Sequence, residues 1–182
     1  MSNPLRYRML IAVLALAAGL VALYLHLWKL GLTGMLTCTA NRGCEIAMTS
    51  SWSWFLGVDV ALIGAVGYAL ILGVALWGAH PSRAASAVPS ILLLALIVPA
   101  VLFTIRLKYA EWFVLKTFCP WCFESTVTIL ACLALAVLDL RRVANAGRSS
   151  PEAPANGLPR RPGPARSSSR SVPPDRWRAP GR

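Results

Sequence analysis

Apolar residues gather in four long stretches, Met9–Trp28, Phe55–Trp77, Ala84–Ile105 and Cys119–Leu140. A helix crossing hydrocarbon needs about 20 apolar residues at ~1.5 Å of rise each. Each stretch is therefore predicted to be a membrane-spanning helix. Charges inside them are few: Asp59 near the start of the second, Glu124 near the start of the fourth and Asp139 at its end. Met9–Trp28 is longer than the apolar core of a signal peptide, and no small-x-small cleavage site follows it before Trp28, so it is read as a retained span. Gly57, Ala61, Ala65, Ala69 and Gly73 recur every four residues and are predicted to let another helix approach closely. Pro89 and Pro99 interrupt the third stretch and are predicted to kink it. Trp28, Trp52, Trp54, Trp77, Trp112 and Trp121 fall near predicted span ends, as an aromatic belt does. His26 and His80 also sit at span ends and are read as interfacial. The fold class that follows is an all-α membrane protein of residues 1–148, with a tail of residues 149–182.

Composition agrees. Of the 182 residues 57% are hydrophobic, and the mean hydropathy is +0.60. The net charge of +11 belongs largely to the tail, since ten of eighteen Lys and Arg lie from Arg141 onward. That end is rich in Arg, Pro, Ser, Ala and Gly and has almost nothing to bury, so it is expected to be disordered. Arg141 and Arg142 follow the fourth span directly, which fits an anchor at a lipid surface. Apart from the single Trp177 the tail holds no aromatic residue, so there is no aromatic-interleaved basic patch and nucleic acid is not expected as a partner. The basic flanks and tail predict a multi-pass protein of the cell membrane with both termini cytoplasmic. Cys38, Cys44, Cys119 and Cys122 then face the outer side, where disulfides persist.

Those four cysteines carry the candidate chemistry. In "FCPWC" Cys119 stands where an N-cap belongs and Pro120 where a first helical residue belongs. A thiolate at a helix N-terminus is stabilised by free N–H groups and the dipole. In "CTANRGC" five residues separate Cys38 from Cys44, and Asn41 and Gly43 make the loop turn-forming. A mobile pair beside a fixed pair predicts a relay. The loop pair meets an outside dithiol and passes electrons to the pair at the membrane through mixed disulfides. Two other readings use the same residues: a zinc site of four cysteines, or two structural disulfides in a non-catalytic scaffold. Cys132, in mid-span, is expected to pack as an apolar residue.

Cys-x5-Cys after the first span, then "SSWSWFLGVDVALIGAVGYAL", then CxxC opening the fourth, resembles the bacterial homologues of vitamin K epoxide reductase from about Met9 to Arg142. The other quinone-linked disulfide-forming family, that of the bacterial disulfide-bond protein B, carries its cysteine pairs in the reverse order. The resemblance implies a four-helix bundle around a membrane quinone, ubiquinone or menaquinone, as electron acceptor. It implies that Cys122 faces the quinone, that Cys119 exchanges with Cys44, and that Cys38 meets the partner protein. Ser50 would lie near the site, and Ser50–Trp54 would form a short interfacial segment over the quinone. Trp54 and Trp121 are candidates to line it. Many bacterial relatives carry a fused thioredoxin-like domain after a fifth span; none follows here, so a separate extracytoplasmic thioredoxin-like partner is expected.

Departures bear on the reaction. Where the family's second span often begins Gly-x-Pro, this chain has "GVD", with Asp59. Val60 and Thr126 stand where the animal enzymes have an asparagine and a tyrosine that hold the quinone, which points to quinone reduction without epoxide reduction. Asp59 and Glu124 have two readings each: a proton relay to a reduced quinone, or a first-turn carboxylate favoured by the helix dipole.

Overall fold

The computed structural model describes residues 4–34 and 43–148; Cys38 and the tail of residues 149–182 lie outside the described residues. The described elements are α1 (Pro4–Lys29), α2 (Gly43–Thr49), a 3-10 turn (Ser51–Ser53), β1 (Trp54–Phe55), β2 (Val58–Asp59), α3 (Val60–Gly78), a 3-10 turn (Pro81–Arg83), α4 (Val88–Tyr109), a π turn (Ala110–Val114) and α5 (Pro120–Arg148). Four stretches are long and apolar enough to cross a membrane: Leu5–Lys29, Val60–Gly78, Val88–Val114 and Pro120–Ala146. Apart from one two-residue hairpin, this is an all-α membrane bundle.

Two predicted boundaries move, for local reasons. The second span starts at Val60 rather than Phe55. Leu56 and Gly57 take positive φ (51° and 80°) and fold Trp54–Asp59 into an antiparallel hairpin pairing Trp54 with Asp59. Asp59 then caps α3 by accepting from the Ala61 N–H at 3.2 Å. The third span starts at Val88 rather than Ala84 and runs on through the π turn. Pro89 falls in the first turn of α4, where a helix needs no N–H from it. Pro99 lies inside α4, which continues through it to Tyr109.

α1 packs chiefly against α3 and α5, and α4 against α5 and α3. The buried stripe of α1 is Ile11, Ala12, Ala15 and Ala18, while Leu10, Val13, Leu16, Leu20 and Leu23 face outward. It meets Tyr68, Ile71 and Ala75 of α3. Small residues do bring the helices close, but the predicted row serves only at its start: Ala61 is half-buried against the cluster of Leu25, Cys44, Met48 and Cys119, whereas Ala69 and Gly73 are exposed and Gly57 belongs to the hairpin. A spacing of four overshoots a 3.6-residue turn, so such a row winds off the contact face. The close approaches are at Gly19, whose added Cβ would sit 3.3 Å from that of Tyr68, and at Gly78, whose added Cβ would sit 2.6 Å from that of Pro89. Cys132 is fully buried in this core.

One end of the bundle is fastened by Arg8, which is 1% exposed. Its Nε donates to Asp139 of α5 at 2.8 Å, and its Nη atoms donate to the carbonyls of Gly78 (2.5 Å), Arg83 (3.1 Å) and Ser86 (3.0 Å). Ser90 of α4 donates to the same Asp139 oxygen at 2.7 Å. One guanidinium thus ties α1 to the other three long helices or their ends. Removing one partner of a buried pair typically costs ~3–5 kcal/mol, because the other charge is left uncompensated. Arg8→Ala and Asp139→Asn are each expected to lower the thermal midpoint in detergent, with the double variant less destabilised than the sum. Additive effects would show that the two residues act independently.

Candidate functional site

The site is built at the start of α5. The π turn ends with the Leu115 N–H on the Ala110 carbonyl at 2.8 Å. Lys116 then adopts φ +47°, and the Thr117 N–H returns to the Glu111 carbonyl at 3.1 Å. π turns are rare and frequently occur at functional sites. This one carries Glu111, which is 4% exposed. Its Oε1 accepts from the Cys119 backbone N–H at 2.7 Å, and its Oε2 accepts from Lys108 Nζ at 2.6 Å.

Cys119 lies just before Pro120, and its Sγ accepts from the Cys122 backbone N–H at 3.4 Å, as an N-cap side chain does. α2 brings the other cysteine. Gly43 opens α2 so close to the α5 entrance that a Cβ there would collide with the Phe118 carbonyl and lie 2.7 Å from Thr117 Oγ1. Glycine at 43 therefore permits the close seating of α2 in addition to any turn it helps to form. Cys44 and Cys119 are both fully buried, in one cluster with Leu25 and Met48. The Cys44 thiol is within hydrogen-bonding reach of the Cys119 sulfur, and so is the Cys122 thiol. Cys119 thus sits between the other two. The Cys122 thiol hydrogen bond is the main influence on its acidity. Together with the Cys122 N–H and the Cys44 thiol it outweighs burial and the Glu111 charge, and brings Cys119 down to about 7.

Behind Cys122 lies a mainly apolar cavity of about 400 Å³, walled by α1, α2, α3, α4, the π turn, α5 and residues of the segment 50–53. That volume is in the range of small-molecule pockets, ~300–1,000 Å³. Ser50, Trp121 and Cys122 line it; the Ser50 hydroxyl donates to the Ala47 carbonyl at 2.9 Å. The Trp121 Nε1–H is buried away from the cavity and has no hydrogen-bond partner among the described residues. Mainly apolar walls with a few polar groups fit a quinone.

Trp54 does not line the cavity; Trp52 and Ser53 take that wall. Neighbouring strand residues face opposite ways. Phe55 turns its ring onto Phe103 at 5.2 Å, and Trp54 is left 53% exposed with Lys29 Nζ 5.6 Å from its ring centre. Val60 and Thr126 both line the cavity. Valine has no polar group to offer, and the Thr126 hydroxyl donates to the Cys122 carbonyl at 2.7 Å.

The charged residues divide. Glu124 is exposed and outside the cavity wall. Asp59 is buried and paired with His26 Nδ1 at 2.7 Å and Lys29 Nζ at 2.5 Å, so His26 is more than an interfacial residue. Burial alone would raise the Asp59 carboxyl, but the Lys29, His26 and Ala61 hydrogen bonds prevail and hold it below the usual range. Lys29, Lys108 and Glu111 line the cavity, and none of them was singled out from the sequence. A signal existed: Lys108 and Glu111 stand three apart at the end of an apolar run, and an ionisable residue there is a functional candidate. Among the described residues, no three His, Cys, Asp or Glu side chains are grouped to hold a metal ion.

The acidity of Cys119 is directly testable. In the reduced protein its alkylation rate is expected to rise with pH through a midpoint near 7. Cys122→Ala removes the thiol that donates to it, so the midpoint should move upward and the rate at neutral pH should fall. An unmoved midpoint would exclude the Cys122 thiol as the cause.

A family model described as Vitamin K epoxide reductase family matches residues 9–137, which takes in the second and third spans, most of the first and fourth, Cys44 and the CxxC pair. Four apolar helices, a loop cysteine brought to a CxxC at a helix start, and a cavity behind that pair agree with the match. The chain belongs to the vitamin K epoxide reductase family.

Proposed function

We propose that this membrane protein oxidises a separate extracytoplasmic thioredoxin-like protein and passes two electrons through Cys38/Cys44 and Cys119/Cys122 to a membrane quinone, in support of disulfide formation. The family works with thiols, disulfides and quinones in general. The observation that carries the finer reading is the position of Cys119, between Cys44 and the cavity-lining Cys122. Both termini are then cytoplasmic, so that the cysteines face the oxidising side.

The residues divide the work. Cys38 forms the mixed disulfide with the partner, and Cys44 is released as a thiolate. Cys44 attacks the Cys119 sulfur of the inner disulfide, and Cys122 leaves as a thiolate on the cavity wall. The partner's second thiol attacks the mixed disulfide, so the partner leaves with its own disulfide formed and Cys38 is freed as a thiolate. Cys38 then resolves the Cys44–Cys119 bridge, which restores the loop disulfide and leaves the inner pair reduced. Trp121, Ser50 and the apolar walls would enclose the ring of the quinone. A bound quinone supplies the acceptor for two electrons and two protons as the Cys119–Cys122 disulfide re-forms.

The test is quinone reduction by purified protein, driven by a reduced thioredoxin-like protein or by dithiothreitol. Cys122→Ser is expected to abolish it with both reductants. Cys38→Ser is expected to abolish the protein-driven reaction and to spare part of the dithiothreitol-driven one, because a small thiol can reach the inner pair directly. Retained activity in Cys122→Ser would overturn the assigned order, and equal loss with both reductants in Cys38→Ser would exclude the loop as a shuttle.

A further inference from the structure

Resting on the quinone-reducing reading above, we infer that Glu111 and Lys108 form the proton-carrying pair between the thiols and the ring oxygens. Both side chains line the cavity that Cys122 lines, and they are hydrogen-bonded to each other at 2.6 Å. The other Glu111 oxygen is on the backbone N–H of Cys119 at 2.7 Å, so the carboxylate is fixed at the sulfur pair. Both charges lie within electrostatic reach of Cys122. A largely buried salt bridge with one face on a reaction cavity is an expensive arrangement for packing alone. The chemistry requires such a pair. Two thiol protons must leave sulfur and arrive at ring oxygens, inside a site walled by apolar side chains.

The step balances without another reactant. The Cys122 thiol gives its proton to the Glu111 carboxylate, and the Lys108 ammonium gives one to a ring oxygen. Glu111 then returns its proton to Lys108, so the pair ends as it began. The Cys119 proton follows the same route to the second oxygen. The S–S bond forms between Cys119 and Cys122, and the electron pair goes to the ring, which is reduced to the hydroquinone.

Glu111 also positions Cys119, and the two roles can be separated. Glu111→Gln keeps an oxygen to accept the Cys119 N–H but cannot carry a proton. Pre-reduced protein would be mixed with decylubiquinone, and hydroquinone formation followed in a single turnover. In parallel, alkylation of Cys119 would be followed without quinone. General acid–base groups contribute ~10²–10⁴-fold, so Glu111→Gln is expected to slow quinone reduction about 100-fold or more. Alkylation should not slow, because removing a negative charge near the sulfur favours the thiolate. Lys108→Met, which keeps the stem and loses the ammonium, should also slow quinone reduction. Quinone reduction within about threefold of wild type in Glu111→Gln would overturn the inference on that general acid–base scale. So would parallel loss of both readouts, which would leave Glu111 with a positioning role alone. No quinone reduction by the wild-type protein would instead sink the functional reading, and this inference with it.

Discussion

An ionised side chain in hydrocarbon finds no water, so it must be met by a counter-charge or by backbone groups inside the protein. Three clusters in this bundle obey that constraint. At one end Arg8 meets Asp139 and three loop or helix-end carbonyls. At the other, Asp59 takes Lys29 and His26, and Glu111 takes Lys108 and the Cys119 N–H. The first cluster draws the long helices together. The second fixes where α3 begins, and the third fixes where α5 begins. Between them the apolar helices need only fill space.

The cavity and its chemistry depend on that scaffold. α1 and α3 stay close through Gly19 and the alanine stripe of α1, and the cavity opens next to Cys122. Gly43 lets α2 reach the α5 entrance, which puts Cys44 beside Cys119. The charged groups at the wall are anchored from behind, Lys29 by Asp59, and Lys108 and Glu111 by each other. Exchange between three neighbouring sulfurs needs only small potential differences, since ~30 mV is ~1.4 kcal/mol for a two-electron couple.

Much of this was legible in the sequence, for identifiable reasons. The four spans show because hydrocarbon demands long apolar runs, and Cys119 at the head of α5 shows because Pro120 marks a first helical turn. What failed was anything that depends on rotation about a helix or on tertiary pairing. The small-residue row on α3 starts on the packed face at Ala61 and winds out to exposed Ala69 and Gly73. Trp54 was expected at the cavity and is turned out by the hairpin. Arg8 and Asp139 stand 131 residues apart, and no local pattern joins them. His26 and Asp59 are likewise joined only when α1 lies against the start of α3. Glu111 sits on a π turn, which shifts side chains from their expected α-helical directions.

The central claim is that electrons pass from Cys44 to Cys119. Replacing Cys38 and Cys122 together by serine removes both resolving thiols, and Cys44 and Cys119 should lock together, while Cys132 stays apart in the bundle core. A disulfide needs Cα atoms ~4.4–6.8 Å apart, so the bridge can form only if α2 seats on the α5 entrance as described. Non-reducing proteolysis and mass spectrometry of this variant, purified under oxidising conditions, are expected to find a peptide of the Cys44 loop joined to one of α5 through Cys44–Cys119. Both cysteines recovered as thiols under those conditions would contradict the relay.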